Sequence, residues 1–119
     1  MPSKEEILEK LKQWFNQGSF ITQKSIDTCA ELHKVSVTES LCVKHQLCYT
    51  SLPKVYFVGR NPDHPTLREF QYLYYHQRIM TRLEAKIQMR VNSTHRLHKL
   101  VSEGELLRFD INEVSIYIR

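Results

Sequence analysis

Four cations stand at four-residue intervals in this sequence: Arg78, Arg82, Lys86 and Arg90. On an α-helix each would sit about 40° around from the last, so all four would share one slanting face. The residues that follow, Asn92-Ser-Thr-His-Arg-Leu-His-Lys99, add Arg96 and Lys99, the imidazoles of His95 and His98, and the hydrogen-bonding side chains of Asn92, Ser93 and Thr94. From His76 to Lys99 six Lys or Arg face the single Glu84, a local excess of +5 in a chain whose formal total is +4. The rest of the chain therefore contributes almost no net charge. Cations held in a row can make charge-assisted hydrogen bonds to a repeating polyanion, of which a phosphate backbone is the natural example. The bland reading of the same run is a solvated helix face.

Other reactive side chains form weaker constellations. Cys29, His33, Cys42, His45 and Cys48 offer thiolate and imidazole ligands enough for a tetrahedral zinc ion, but the paired C-x2-C knuckle is missing. Cysteines in apolar, periodic segments read better as buried, reduced thiols, so neither a metal nor another cofactor is expected. No local signature of a cysteine hydrolase accompanies them. Asp63-His64 lies in a proline-bounded turn, where aspartate commonly serves turn geometry. Gly18, Gly59 and Gly104 are the only glycines, each at an element boundary, which leaves no glycine-rich phosphate loop. The chain reads as a protein that is not an enzyme.

The elements that would carry these residues are read from capping and periodicity. Ser3 with Glu6 opens a first helix bearing Ile7, Leu8, Leu11, Trp14 and Phe15, stopped by Gly18. A second helix after Thr22 carries Ile26, Cys29, Ala30 and Leu32. A third, signalled by Ser36 and Glu39, carries Leu41, Val43 or His45, and Leu47 or Cys48. Lys54-Val-Tyr-Phe-Val58 reads as a strand. The turn-rich run Gly59 to Pro65 divides the chain into an amino-terminal unit, 1–60, and a carboxy-terminal unit, 61–119. Thr66 opens the next helix. Leu67, Phe70 and Tyr74 form one apolar stripe and Met80, Leu83 and Ile87 a second, out of phase with it, which implies two helices at a corner or one long helix with a shifting buried face. Asn92 or Ser93 caps a helix that buries Leu97, Leu100 and Val101 and stops at Gly104; a hairpin follows, with Asp110 to Glu113 as its turn.

The fold class expected is thus mostly α with short β-hairpins. Helix, helix, capped helix and hairpin over about 66–119 resemble the winged helix-turn-helix superfamily. The matching residues are Ala85 in the second helix, Val91 in the turn, Ser93 or Thr94 opening the third helix, and Leu100 four residues before Gly104. A weaker second copy is suggested over 1–60, since a shift of 56 places Cys29, Val35 and Leu41 on Ala85, Val91 and Leu97. That would make the chain winged-helix-like and tandem. The resemblance implies that Thr94, His95, His98 and Lys99 enter a groove of double-stranded DNA. Arg90, Asn92 and Arg96 would lie near its backbone, and Arg82 and Lys86 would add phosphate contacts; Arg78 and Ser93 complete the expected DNA-binding set. Two features depart from the pattern. The third helix is about a turn short, and the wing tip carries Asp110 and Glu113, an acidic pair unsuited to phosphates.

A small non-catalytic DNA-binding protein of the transcription or replication-regulator type is the leading expectation, and a winged-helix module that assembles a protein complex the alternative. Phe70, Tyr72, Tyr74 and Tyr75 make the helix at 66–78 strongly aromatic, a surface suited to interdomain packing or a homodimer, with stacking of the tyrosines on unpaired bases of a single strand as a third reading. No run approaches the roughly 18 apolar residues of a membrane span, and the first residues lack an apolar leader core. The expectation is no membrane partner and an intracellular location, in cytoplasm, nucleoid or nucleus.

Overall fold

Capping side chains set the helix boundaries in the computed structural model, which describes residues 2–33 and 47–119. Ser3 accepts from the Glu6 amide at 3.2 Å and opens α1 (Lys4–Asn16), and Gly18, at φ +75°, turns the chain away from its end. The chain continues through β1 (Phe20–Thr22), α2 (Gln23–His33), β2 (Leu47–Tyr49) and β3 (Val55–Val58). The next helix, α3 (Pro65–Tyr75), starts one residue earlier than Thr66: His64 caps it through Nδ1, and Pro65 occupies the first position, where a missing amide costs nothing. After β4 (Ile79–Met80), Thr81 and Glu84 form a complete capping box for α4 (Arg82–Met89). Ser93 caps α5 (Thr94–Ser102) by accepting from the Arg96 amide at 3.2 Å. Strands β5 (Leu107–Ile111) and β6 (Val114–Ile118) close the chain as a hairpin.

Among the described residues the strands build two three-stranded antiparallel sheets, ordered β1-β3-β2 and β4-β6-β5. The architecture is therefore α+β, richer in strand than the mostly α pattern expected. Strands of two or three residues are too short to express an alternating pattern, and they exist because a longer strand pairs with them. Ile79 lies opposite Ile118 and Met80 opposite Tyr117, while Phe20, Ile21 and Thr22 pair with Phe57, Tyr56 and Val55.

Several expectations are corrected. Leu47 and Cys48 belong to β2, paired with Val58 and Phe57, rather than to a third helix; the rest of that helix, with Leu41, Val43 and His45, lies outside the described residues. The run from Thr66 to Val91 is two helices joined by a strand, because His76 ends α3 and Gln77, at φ +57°, redirects the chain. Met80 thus shares no stripe with Leu83 and Ile87, which are 65% and 64% exposed; Ala85 is the buried residue of α4. On α3 the inward set is Leu67, Phe70 and Leu73, with Tyr74 only half-buried. The hairpin turn is tighter than Asp110 to Glu113, for β5 runs through Ile111 and the left-handed pair Asn112 and Glu113, φ +44° and +69°, makes the reversal.

Strand alternation sends the two faces of the β5-β6 hairpin into different interiors. Val114, Ile116 and Ile118 join the larger core with Ile7, Leu11 and Trp14 of α1, Phe20, Val55 and Phe57 of the first sheet, and Leu67, Phe70 and Leu73 of α3. Tyr117 faces the smaller core, with Met80, Ala85, Leu97 and Leu106. Each such large side chain contributes about 1.5–3 kcal/mol on burial, so both ends of the chain depend on the larger core.

Candidate nucleic-acid interface

Ala85 and Leu97, both fully buried, anchor α4 and α5 to the smaller core, and half-buried Val91 packs against it from the turn between them. The turn closes on itself: the Val91 amide donates to Lys86 at 3.0 Å, and Arg90 takes a left-handed conformation, φ +55° and ψ +42°. With Leu97 pointing inward, helical geometry turns His95, Arg96, Lys99 and Ser102 outward, and all four are exposed.

The cations divide by what they touch. Among the described residues, Lys10, Lys12, Lys24, Arg68 and Arg108 pair with carboxylates, and Lys4 donates to the Gly104 carbonyl. Arg82, Lys86, Arg90, Arg96 and Lys99 make neither an ion pair nor a side-chain hydrogen bond within that set, a condition shared only by Lys54, Arg60 and Arg119. Five of these eight cations therefore fall on one 18-residue stretch, 82–99, consisting of α4, the turn and α5. Arg82 is the least independent of the five, since its charge acts on Asp110.

Three of the site residues expected from the sequence have structural partners instead. Arg78 does not continue the stripe, because the chain turns at Gln77 before α4 begins; its guanidinium donates to the carbonyls of Arg119 and Pro2, both at 2.7 Å. Ser93 spends its hydroxyl on the α5 cap. His98 presents Nε2 to Arg108 Nη1 at 3.0 Å and to the Tyr117 hydroxyl at 3.3 Å; a guanidinium can only donate, so this nitrogen accepts from it. Asn92, Thr94 and His95 remain on the turn and the first turn of α5, Asn92 and His95 exposed and Thr94 half-buried.

The contact under α5 extends across the hairpin. Arg108 pairs with Asp110 at 2.9 Å and sits over the Tyr117 ring, and Ser115 donates to Asp110 at 2.7 Å. Partial burial pushes the Asp110 carboxyl up, but the hydrogen bonds from Ser115 and Arg108 and the charges of Arg108 and Arg82 outweigh it and hold the group below the ordinary aspartate range. On the other side, Glu84 accepts from the Tyr74 hydroxyl at 2.9 Å; burial first, and this bond second, push the phenol up to about 12.

The hairpin tip explains the acidic pair that fitted phosphate so poorly. Asn112 Nδ2 donates to Thr22 Oγ1 at 3.1 Å and Ser25 Oγ at 3.0 Å, and Glu113 pairs with Lys24 at 3.0 Å. Asp110 and Glu113 thus serve contacts within the chain, and the tip rests on β1 and the start of α2. No family model, curated protein or solved structure matches this chain.

Cys48 donates its thiol to the Gly59 carbonyl at 3.1 Å, and burial pushes its pKa up. Cys42 and His45, and the side chains of Cys29 and His33, lie outside the described residues. The aromatic residues of α3 divide: Phe70 is fully buried, Tyr74 is held by Glu84, and Tyr72 and Tyr75 are 46% and 66% exposed. No helix of the described residues is long and apolar enough to cross a membrane. The sequence reading missed Arg108, whose alternation with Asp110 opposite Ser115 and Tyr117 was a usable signal, and the outward position of Leu83 and Ile87, for which no signal existed.

Proposed function

We propose that this chain is a non-catalytic, winged helix-turn-helix type protein that binds double-stranded nucleic acid through α4, the turn and α5. One observation carries the reading: Arg82, Lys86, Arg90, Arg96 and Lys99 lie on a single helix-turn-helix without an ion pair among the described residues, whereas most other described cations are engaged. Lys86, Arg90 and Arg96 are assigned to phosphates, and Thr94, His95 and Lys99 to a groove. Ser93, His98 and Arg78 shape the surface without facing the ligand. The matching orders β1-β3-β2 and β4-β6-β5, each with its first strand set between two helices, support a tandem of two such units over 1–60 and 61–119. The hairpin contributes no phosphate contact, since its tip is occupied by Thr22, Lys24 and Ser25. Regulation of transcription or replication is the role such binding would serve.

The test is fluorescence anisotropy of a labelled duplex and its single strand. Three phosphate contacts give a logarithmic salt slope of about −2.7 on duplex between roughly 50 and 200 mM salt. The triple variant Lys86→Glu, Arg90→Glu, Lys99→Glu should lose binding while keeping its thermal transition. Undiminished duplex affinity in that variant overturns the proposal, and tighter binding to the single strand replaces the groove reading with a stacking one.

A further inference from the structure

Leu83 and Ile87 are one turn apart on α4 and 65% and 64% exposed. Single aliphatic side chains on a surface are common, but this pair forms the centre of the outward face of its helix. Arg82, Lys86 and Arg90 border it on one side, without ion pairs among the described residues. On the other side Glu84 is already engaged by Thr81 and Tyr74, which leaves its charge committed inward. The face therefore combines an apolar centre with an unmatched cationic edge.

We propose that this face of α4 docks an acidic amphipathic helix from a protein partner. The occupant follows from charge and apolarity together. A second copy of the same face would oppose Lys86 and Arg90 to their own equivalents, a like-charge contact that disfavours pairing. A phosphate backbone would satisfy the cations and leave Leu83 and Ile87 in water. A helix carrying aliphatic residues at i and i+4, flanked by Asp or Glu, satisfies both. The inference goes beyond duplex binding, because it rests on two side chains which that binding does not use. It also has a consequence for it: the partner and the duplex compete for Lys86 and Arg90, so one displaces the other.

The probe is a synthetic helical peptide of about 18 residues, with leucines at i and i+4 and glutamates flanking them, titrated into the full chain labelled with 15N. Controls are the same peptide with lysine in place of glutamate, and phosphatidylserine vesicles. The acidic peptide should shift amide resonances of α4, the lysine peptide should not, and Leu83→Ser with Ile87→Ser should weaken the complex by about tenfold or more. Both side chains are largely exposed, so the double variant should keep the wild-type melting temperature and duplex affinity. The acidic peptide should also displace labelled duplex from the wild-type chain. Peptide shifts absent from α4, affinity unchanged in the double variant, self-association through α4, or α4-dependent binding to vesicles in place of peptide would each overturn the proposal. Loss of duplex binding alone, with peptide docking intact, would defeat the nucleic-acid reading and leave this one standing.

Discussion

The ring of Phe20 stacks on that of Phe70, with centroids 4.6 Å apart and planes 30° apart. Phe20 belongs to the first sheet and Phe70 to α3, so one aromatic pair joins residues 50 apart in a chain of 119. Trp14, Phe15 and Phe57 also contact Phe20, at 5.6, 5.9 and 5.4 Å. Offset and tilted geometries of this kind add to the stabilisation from burial alone.

Truncating Phe20 to alanine should therefore destabilise the whole molecule by about 3–5 kcal/mol, the cost of removing a buried phenyl ring and leaving a cavity. Denaturant unfolding followed by Trp14 fluorescence and by far-ultraviolet circular dichroism should shift as one transition. Separation of the two signals would show that the cores melt independently.

Arg90 stands where a helix end usually carries glycine, in a left-handed conformation that costs a side-chain-bearing residue about 1 kcal/mol. Replacing it with glycine should hold or raise the melting temperature while weakening duplex binding and reducing the logarithmic salt slope by about one unit. A variant that is more stable and binds equally well would remove Arg90 from the interface.

Asp110 is held below the ordinary aspartate range, so its contribution to stability has a defined sign. That contribution is complete above about pH 4, where an unfolded aspartate ionises, and is lost as pH falls through the lower native value. Asp110→Asn should flatten the acid limb of a melting-temperature profile below about pH 4. Its cost at neutral pH should stay below about 1 kcal/mol, because the Arg108 pair is partly solvated. An unaltered acid limb would mean that other carboxylates govern it.

Asn112 combines a left-handed backbone with two hydrogen bonds to the amino half. Asn112→Ala should cost about 1–2 kcal/mol from both sources, and Asn112→Gly less, since glycine relieves the backbone part. Amide exchange at residues 22–25 should accelerate in both variants. Unchanged exchange there would show that the tip is not held.

How much of this was legible in the sequence depended on whether the cause was local. Ser3, Ser93, Gly18 and Gly104 act on their own neighbours, and the ends of α1 and α5 follow from them. The pairs that make β1 and β4 strands lie far along the chain, at Phe57 and Ile118, and no window around Phe20 or Ile79 contains them. On α4, eight residues give too few turns for periodicity to choose between two faces, and Leu83 and Ile87 turned outward because the small Ala85 fits the core. Of the candidate site, the run of cations from Arg82 to Lys99 was legible from type and spacing. The engagement of Arg78 by Pro2 and Arg119, and of His98 by Arg108, was not, since each is a contact across the fold.

Ile116 and Tyr117 are adjacent residues of β6 that enter opposite interiors. Tyr117 touches the packing beneath α5, and Ile116 belongs to the same interior as Trp14 of α1. Close-packed interiors pass displacement on rather than absorbing it. α1 and α5 consequently rest on side chains of two successive residues of one strand, with no loop between the two footings.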